Sequence, residues 1–125
     1  MNENEISRIV VDSCYRIHKE LGPGLFESVY EEILCFELEK HNLEIRRQVP
    51  IPLVYEEVKL EAGFRADIII NNKVIIELKS VEQICNVHKK QLLTYLKLTD
   101  KRLGLLINFN VDLIKDGITR IVNNL

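Results

Sequence analysis

An excess of basic residues, paired cysteine ligands and any long apolar run are all missing from this 125-residue chain. The formal net charge is −2, so the chain cannot coat a polyanion through bulk electrostatics, and any contact with nucleic acid has to come from a local patch. Cys14, Cys35 and Cys85 are odd in number, far apart and set among apolar residues, with no C-x-x-C pair. That spacing excludes the usual zinc and dithiol redox sites and predicts reduced core residues. His18, His41 and His88 lack mutual metal-ligand spacing. No segment approaches the length of a membrane span. Met1-Asn2-Glu3-Asn4-Glu5 is acidic and polar where a secretory signal is basic and then apolar, so a cytoplasmic protein with no membrane attachment is expected. No repeat, low-complexity tract or long linker occurs.

The chain does hold enough apolar residues, 46% of the total, to close one core, and it is too short for two ordinary domains. A single domain over residues 1–125 is expected. Ile6, Ile9, Val10, Ser13, Cys14, Ile17 and Leu21 recur at helical spacing until Gly22-Pro23-Gly24 stops them, which predicts a helix over about 4–20. Phe26, Val29, Tyr30, Ile33, Leu34 and Leu38 predict a second over about 26–40. Val49-Pro50-Ile51-Pro52-Leu53-Val54-Tyr55 carries two prolines, which places that strand at a sheet edge or its first residues outside a ladder. Glu56-Glu57 supplies its turn. Val58, Leu60, Ala62, Phe64, Ala66, Ile68 and Ile70 alternate against Lys59, Glu61, Gly63, Arg65 and Asp67, as in a strand with Gly63 at a bend or bulge.

After Asn71-Asn72-Lys73, Val74, Ile76 and Leu78 face opposite to Ile75, Glu77 and Lys79. Matching apolar face to apolar face across a hairpin requires Ile70 opposite Val74, and hence Asp67 opposite Glu77. A two-residue Asn-Asn turn would give the other parity. Residues 82–98 read as a third helix with Ile84, Cys85, Leu92, Tyr95 and Leu96 inward and Lys89, Lys90 and Lys97 outward. Arg102 to Phe109 reads as a short buried strand, and Gly117 to Val122 as a candidate for another. This order predicts an α/β sandwich around a mixed sheet.

Two carboxylates meeting on paired strands can grip a hard divalent cation, magnesium or manganese, and phosphodiester hydrolysis needs such a charge beside an attacking water. Lys79, two residues beyond Glu77, shares its face and can position or deprotonate that water and steady the phosphate. Glu27 opens the second helix, where it either completes the metal shell or only complements the helix dipole. Gln91 and Tyr95, four apart on the third helix with His88 a turn earlier, can contact phosphate or water and pack beneath the site; as structural residues they need no such role. A lone Glu-x-Lys is common in charged sequences. Here it ends an apolar strand, a preceding strand delivers Asp67 to the same face, and a helix bearing Gln91 follows.

Asp67, then Glu77-Leu78-Lys79, then Gln91-Leu92-Leu93-Thr94-Tyr95 resemble the motifs of the PD-(D/E)XK nuclease superfamily, including its Q-x-x-x-Y element. Gly24-Leu25-Phe26-Glu27-Ser28-Val29-Tyr30 resembles the motif that names the small GxxExxY family within it. The resemblance covers about 6–122. It implies a restriction-endonuclease-like α/β core, with Glu27, Asp67, Glu77 and the Leu78 carbonyl as metal ligands, Lys79 as catalytic lysine, and Gln91 and Tyr95 in support. Ala66 stands where the named motif has proline, its side chain expected to face away from Asp67.

The leading expectation is thus a magnesium- or manganese-dependent nuclease acting on DNA, RNA being the lesser substrate. Lys89, Lys90, Lys97, Lys101 and Arg102 are its candidate phosphate contacts, or simply a solvated face. So small a core invites a second copy or a protein partner to hold substrate. The competing readings are a non-catalytic nucleic-acid-binding or assembly module that keeps the fold, and a structural ion cluster that divalent metal would not stabilise.

Overall fold

In the computed structural model, which describes residues 1–125 apart from the side chains of Glu61 and Ala62, two helices lead into five strands interrupted by one helix. These are α1 (Glu3–Leu21), α2 (Glu27–Glu39), β1 (Ile45–Tyr55), β2 (Val58–Ile70), β3 (Val74–Lys79), α3 (Asn86–Leu98), β4 (Leu103–Asn108) and β5 (Ile118–Val122), with a 3₁₀ turn at Ile114–Gly117. The strands form one sheet in the order β1-β2-β3-β4-β5. Only β3 and β4 run parallel, joined through α3. They are the central strands and are buried almost throughout, which explains their unbroken apolar sequence.

Alternation along these strands divides the core in two. Val74, Ile76 and Leu78 of β3 and Leu103, Leu105 and Ile107 of β4 pack with α1 and α2, through residues such as Val10, Cys14, Tyr30 and Leu34. Ile75 and Leu106 project from the other face against Leu92, Tyr95 and Leu96 of α3. Helices therefore cover both faces of the sheet. At Gly104 the backbone of β4 lies so close to α3 that a Cβ would stand 2.9 Å from the Leu92 side chain.

The turns follow from their residues. Asn2 and Glu5 form a capping box at the start of α1, and Gly22, at φ +69°, ends that helix. Between β2 and β3, Lys73 N–H donates to the Ile70 carbonyl at 2.9 Å across Asn71 and Asn72, both at positive φ. The turn is a primed one, which asparagine tolerates. Lys73 is then the extra loop residue, and Ile70 pairs with Val74 as apolar matching requires.

Several expectations need correction. α3 starts at Asn86 rather than at 82, because Cys85 sits in extended conformation as the residue that caps it; Cys85 is consequently exposed, while Cys14 and Cys35 are buried. His88 accepts the Cys85 N–H through Nδ1 at 3.1 Å. Leu21, Phe26 and Val29 lie outside the buried stripes of their helices. β1 begins at Ile45, because Ile45–Arg47 pair with Ile68–Ile70.

The single-faced alternation read along β2 does not persist either. Phe64 and Ala66 pack on the α3 side and Ile68 and Ile70 on the other, while Val58 and Leu60 are exposed on an arm that runs past the core. The change of face falls at Asp67, opposite Gln48, whose φ of +49° interrupts β1. The expected irregularity near Gly63 is present as a register shift between Ile51 and Leu53 of the partner strand. β1 is an edge strand, as its prolines require.

Candidate active site

The β2–β3 ladder runs from Ile70↔Val74 to Ile68↔Ile76, and the next rung would be Asp67 with Glu77. There side chains take over from carbonyls. The Asp67 N–H donates to Glu77 Oε1 at 3.3 Å, and the Leu78 N–H donates to Asp67 Oδ2 at 2.8 Å. The strands thus part at the end of β3, and both carboxyl groups stand in the gap. Because a strand residue's N–H and C=O project to the same side, the Leu78 carbonyl also opens toward it.

The gap is acidic and poorly hydrated. Glu77 is only 8% exposed. Burial, and then the Asp67 carboxylate, push its carboxyl from 4.5 up to about 8. Asp67 is raised too, chiefly by burial, although the Leu78 N–H and the Gln48 amide oppose the shift. Burial, followed by the charges of Glu77 and Asp67, pushes the Tyr95 phenol up to about 12. Its ring is tilted against Phe64 at 5.2 Å, on the α3 side of the sheet. Lys79 ends β3 half-buried and favours the charged form of both acids. Yet none of the four ion pairs among the described residues involves it. The acids are close together without a cation bonded to them.

A cleft of about 300 Å³ opens beside Asp67 and Leu78, lined further by Glu27, Ser28 and Glu31 of α2 and by Gln48 of β1. Glu27 is on its exposed rim. The acid that reaches inward is Glu31, one helical turn later and 7% exposed. Arg47 binds Glu31 Oε2 through Nε at 3.0 Å and Nη2 at 2.8 Å, and Nη2 also reaches Glu32 at 2.9 Å. Gln48 Nε2 bridges Glu31 Oε1 at 2.7 Å and Asp67 Oδ1 at 3.3 Å. Its left-handed backbone stores strain of the kind found at functional sites. Sequence reasoning missed Glu31, Arg47 and Gln48. The i, i+4 spacing of Glu27 and Glu31 is the signal that would have found the first.

Tyr30 explains why α2 starts where it does. Its hydroxyl donates to the Gly22 carbonyl at 2.6 Å and accepts the Leu25 N–H at 3.2 Å, while its ring stacks on Phe109 at 4.2 Å. The loop that ends in Glu27 is thereby tied to the core. Ser80, just past Lys79, donates to the Leu25 carbonyl at 2.8 Å. Asn108, also missed, exchanges two hydrogen bonds with the Val81 backbone at 2.9 and 3.1 Å and so holds the exit from β3.

The remaining predicted residues divide by position. Gln91 is exposed, one turn before Tyr95 on α3. Lys89 and Lys90 are in the first half of that helix, toward the end of the sheet where β3 stops. Lys97 is in its last turn, and Arg102 precedes Leu103, which pairs with Val74 at the opposite end of β3. Six strand residues, about 20 Å, separate Arg102 from Asn108, the partner of Lys79. Arg102, and Lys101 beside it, are therefore remote from the paired acids, whereas Lys97 follows Tyr95 by two residues on α3.

The donor set, carboxylate and carbonyl oxygens in a gap where burial disfavours anionic charge, fits a hard divalent cation. Among the described residues no three His, Cys, Asp or Glu side chains converge closely enough to hold an ion by themselves. Among the described residues no helix is long and apolar enough to cross a membrane. A family model described as the PD-(D/E)XK nuclease superfamily matches residues 4–121. No curated protein and no solved structure matches the chain. With that match, the mixed sheet between helices is consistent with a restriction-endonuclease-like core.

Proposed function

The chain belongs to the PD-(D/E)XK nuclease superfamily, and from that premise we propose that it is a metal-dependent nuclease that hydrolyses phosphodiester bonds, with DNA as substrate. The observation that supports this most directly is the buried Asp67–Glu77 pair with Lys79 on the same strand. Magnesium or manganese would be held by Asp67, Glu77 and the Leu78 carbonyl, with Glu27 or Glu31 and water completing the shell. When bound, the ion supplies an activated water and positive charge on the scissile phosphate. The superfamily's general use of divalent metals supports the class of cofactor; the specific ion is part of the proposal.

The chain's own residues have distinct tasks in this reading. The Lys79 ammonium steadies a non-bridging phosphate oxygen and orients the attacking water. Gln48 and the Leu78 N–H hold Asp67 in one rotamer. Tyr95 excludes water from beneath the pair, Gln91 meets the phosphate from the exposed side of α3, and Lys89 and Lys90 contact flanking phosphates. Glu27-x-x-Tyr30 supplies the likeness to the GxxExxY family, and the tethering of this loop by Tyr30 gives that motif a physical purpose.

The incomplete clustering of the acids favours a second reading, a nucleic-acid-binding module without catalysis. Cleavage of mixed single- and double-stranded DNA and RNA by wild type and Lys79→Ala separates the two. A nuclease loses at least about 100-fold in rate while keeping its affinity for substrate in calcium. A binding module cleaves nothing and is unchanged by the substitution.

A further inference from the structure

The outer face of α2 carries an apolar stripe that the fold leaves uncovered. Phe26 is 81% and Phe36 62% exposed, Val29 is more than a third exposed, and Ile33 is only partly buried. At 100° per residue Val29, Ile33 and Phe36 fall within one quarter of the helix surface, on the side away from Leu34 and Leu38, and Phe26, the extended residue that caps α2, stands exposed at the start of this stripe. The stripe borders an apolar groove of about 500 Å³ between α1 and α2, with Ile17, Leu21, Ile33 and Phe36 in its walls. Elsewhere on α2 the surface is charged, so the stripe is not a general feature of the helix.

We propose that this face is a two-fold interface with a second copy of the chain, formed by antiparallel packing of α2 on α2. The spacing of the stripe, 3-4-3, reads the same in both directions. Phe26 and Phe36 are equidistant from position 31, as are Val29 and Ile33. A two-fold axis crossing the helix there sets Phe26 opposite Phe36 and Val29 opposite Ile33 at both ends at once, as an isologous interface demands. Phe26 of each copy then meets the second copy's groove, beside Phe36 in its wall.

In this register Lys40, whose Nζ lies over the Phe36 ring at 4.6 Å and bonds Glu37 at 3.2 Å, comes to the end of the second copy's α1. Lys19 and Glu20 offset each other there, so charge neither drives nor opposes the pairing. Glu32, which would approach its own copy near the axis, is already bonded to Arg47. From the exposed fractions, Leu21, Leu25 and the stripe offer about 500 Å² of apolar surface per copy, so two copies would bury about 1,000 Å², the lower limit for a specific interface. An area at this limit is that of a weak, transient association.

Sedimentation equilibrium over roughly 1–200 µM tests this directly. Wild type should move from 14.6 kDa toward twice that mass, and Phe36→Asp and Val29→Asp, both on solvent-exposed positions, should each weaken self-association at least 100-fold with circular dichroism unchanged. In a Cys85→Ser background, which removes the exposed native thiol, the double variant Val29→Cys/Ile33→Cys should give disulfide-linked dimers under mild oxidation. Wild type that stays monomeric at 200 µM, a dimer that survives both aspartates, or a monomer that instead binds phospholipid vesicles through Phe26 and Phe36 would each overturn the proposal. Metal-dependent melting is read separately and does not depend on the outcome.

Discussion

Arg47 is the residue on which the acid side of the cleft depends, since its guanidinium is the cation bonded to Glu31. Arg47→Ala leaves that buried carboxylate with only the Gln48 amide. A loss of about 2–3 kcal/mol in urea unfolding is expected, and a loss below 0.5 kcal/mol would show that Glu31 is hydrated. Glu77 gives a pH signature. Its carboxyl, raised from 4.5 to about 8 by burial and Asp67, holds a proton more tightly in the folded than in the unfolded protein. Without metal, stability must therefore fall as pH rises from about 4.5 to about 8 and level off above. Asp67, raised as well, contributes in the same direction at the acidic end. Glu77→Gln, which is neutral throughout, should flatten the melting-temperature curve between those limits; an unchanged slope would mean that Glu77 is already ionised.

The exit from β3 depends on elements far apart in sequence. Gly117, in the 3₁₀ turn before β5, packs so closely on β4 that a Cβ would collide with the Asn108 carbonyl, and Asn108 in turn holds the Val81 backbone. Gly117→Ala should cost about 2 kcal/mol or more in unfolding and disturb Lys79 through Asn108. The same substitution at Gly63, where only ordinary contacts with Leu53 and Leu60 await, should be tolerated. Urea melts of the two variants decide the matter. Such dependences are invisible in sequence, because they rest on which backbone passes which.

What could be read was periodic. The strands around Asp67 and Glu77, their register and the burial of β3 and β4 follow from alternation and from apolar matching alone. The start of α3 could not be read, because Ile84 and Cys85 fit an amphipathic helix as well as they fit a capping turn. The exposure of Phe26 was hidden for a similar reason: periodicity identifies an apolar stripe without saying which neighbour covers it. Glu31 and Gln48 escaped because one looks like any helical acid and the other gains its role only through a left-handed backbone opposite Asp67.

At the scale of the molecule, positive charge is sparse and unevenly placed. Lys89 and Lys90 lie in the half of α3 that follows the exit from β3, whereas Lys101 and Arg102 lie at the far end of the sheet. Lys89→Ala/Lys90→Ala should therefore weaken binding of a short duplex and lower the salt dependence of log K by about two. Lys101→Ala/Arg102→Ala should leave a short duplex unaffected and weaken only a longer one. Fluorescence anisotropy against salt concentration measures both, and equal effects on the short duplex would mean that nucleic acid lies along the whole of α3.

The central claim is that Asp67 and Glu77 form one seat for a divalent ion, and thermal melting with magnesium, manganese or calcium, on wild type and Asp67→Ala, tests it most directly. The expected result is a rise in wild-type Tm that follows metal concentration by mass action and is absent in Asp67→Ala. A Tm indifferent to all three ions in wild type, or one that rises equally without Asp67, would contradict the account.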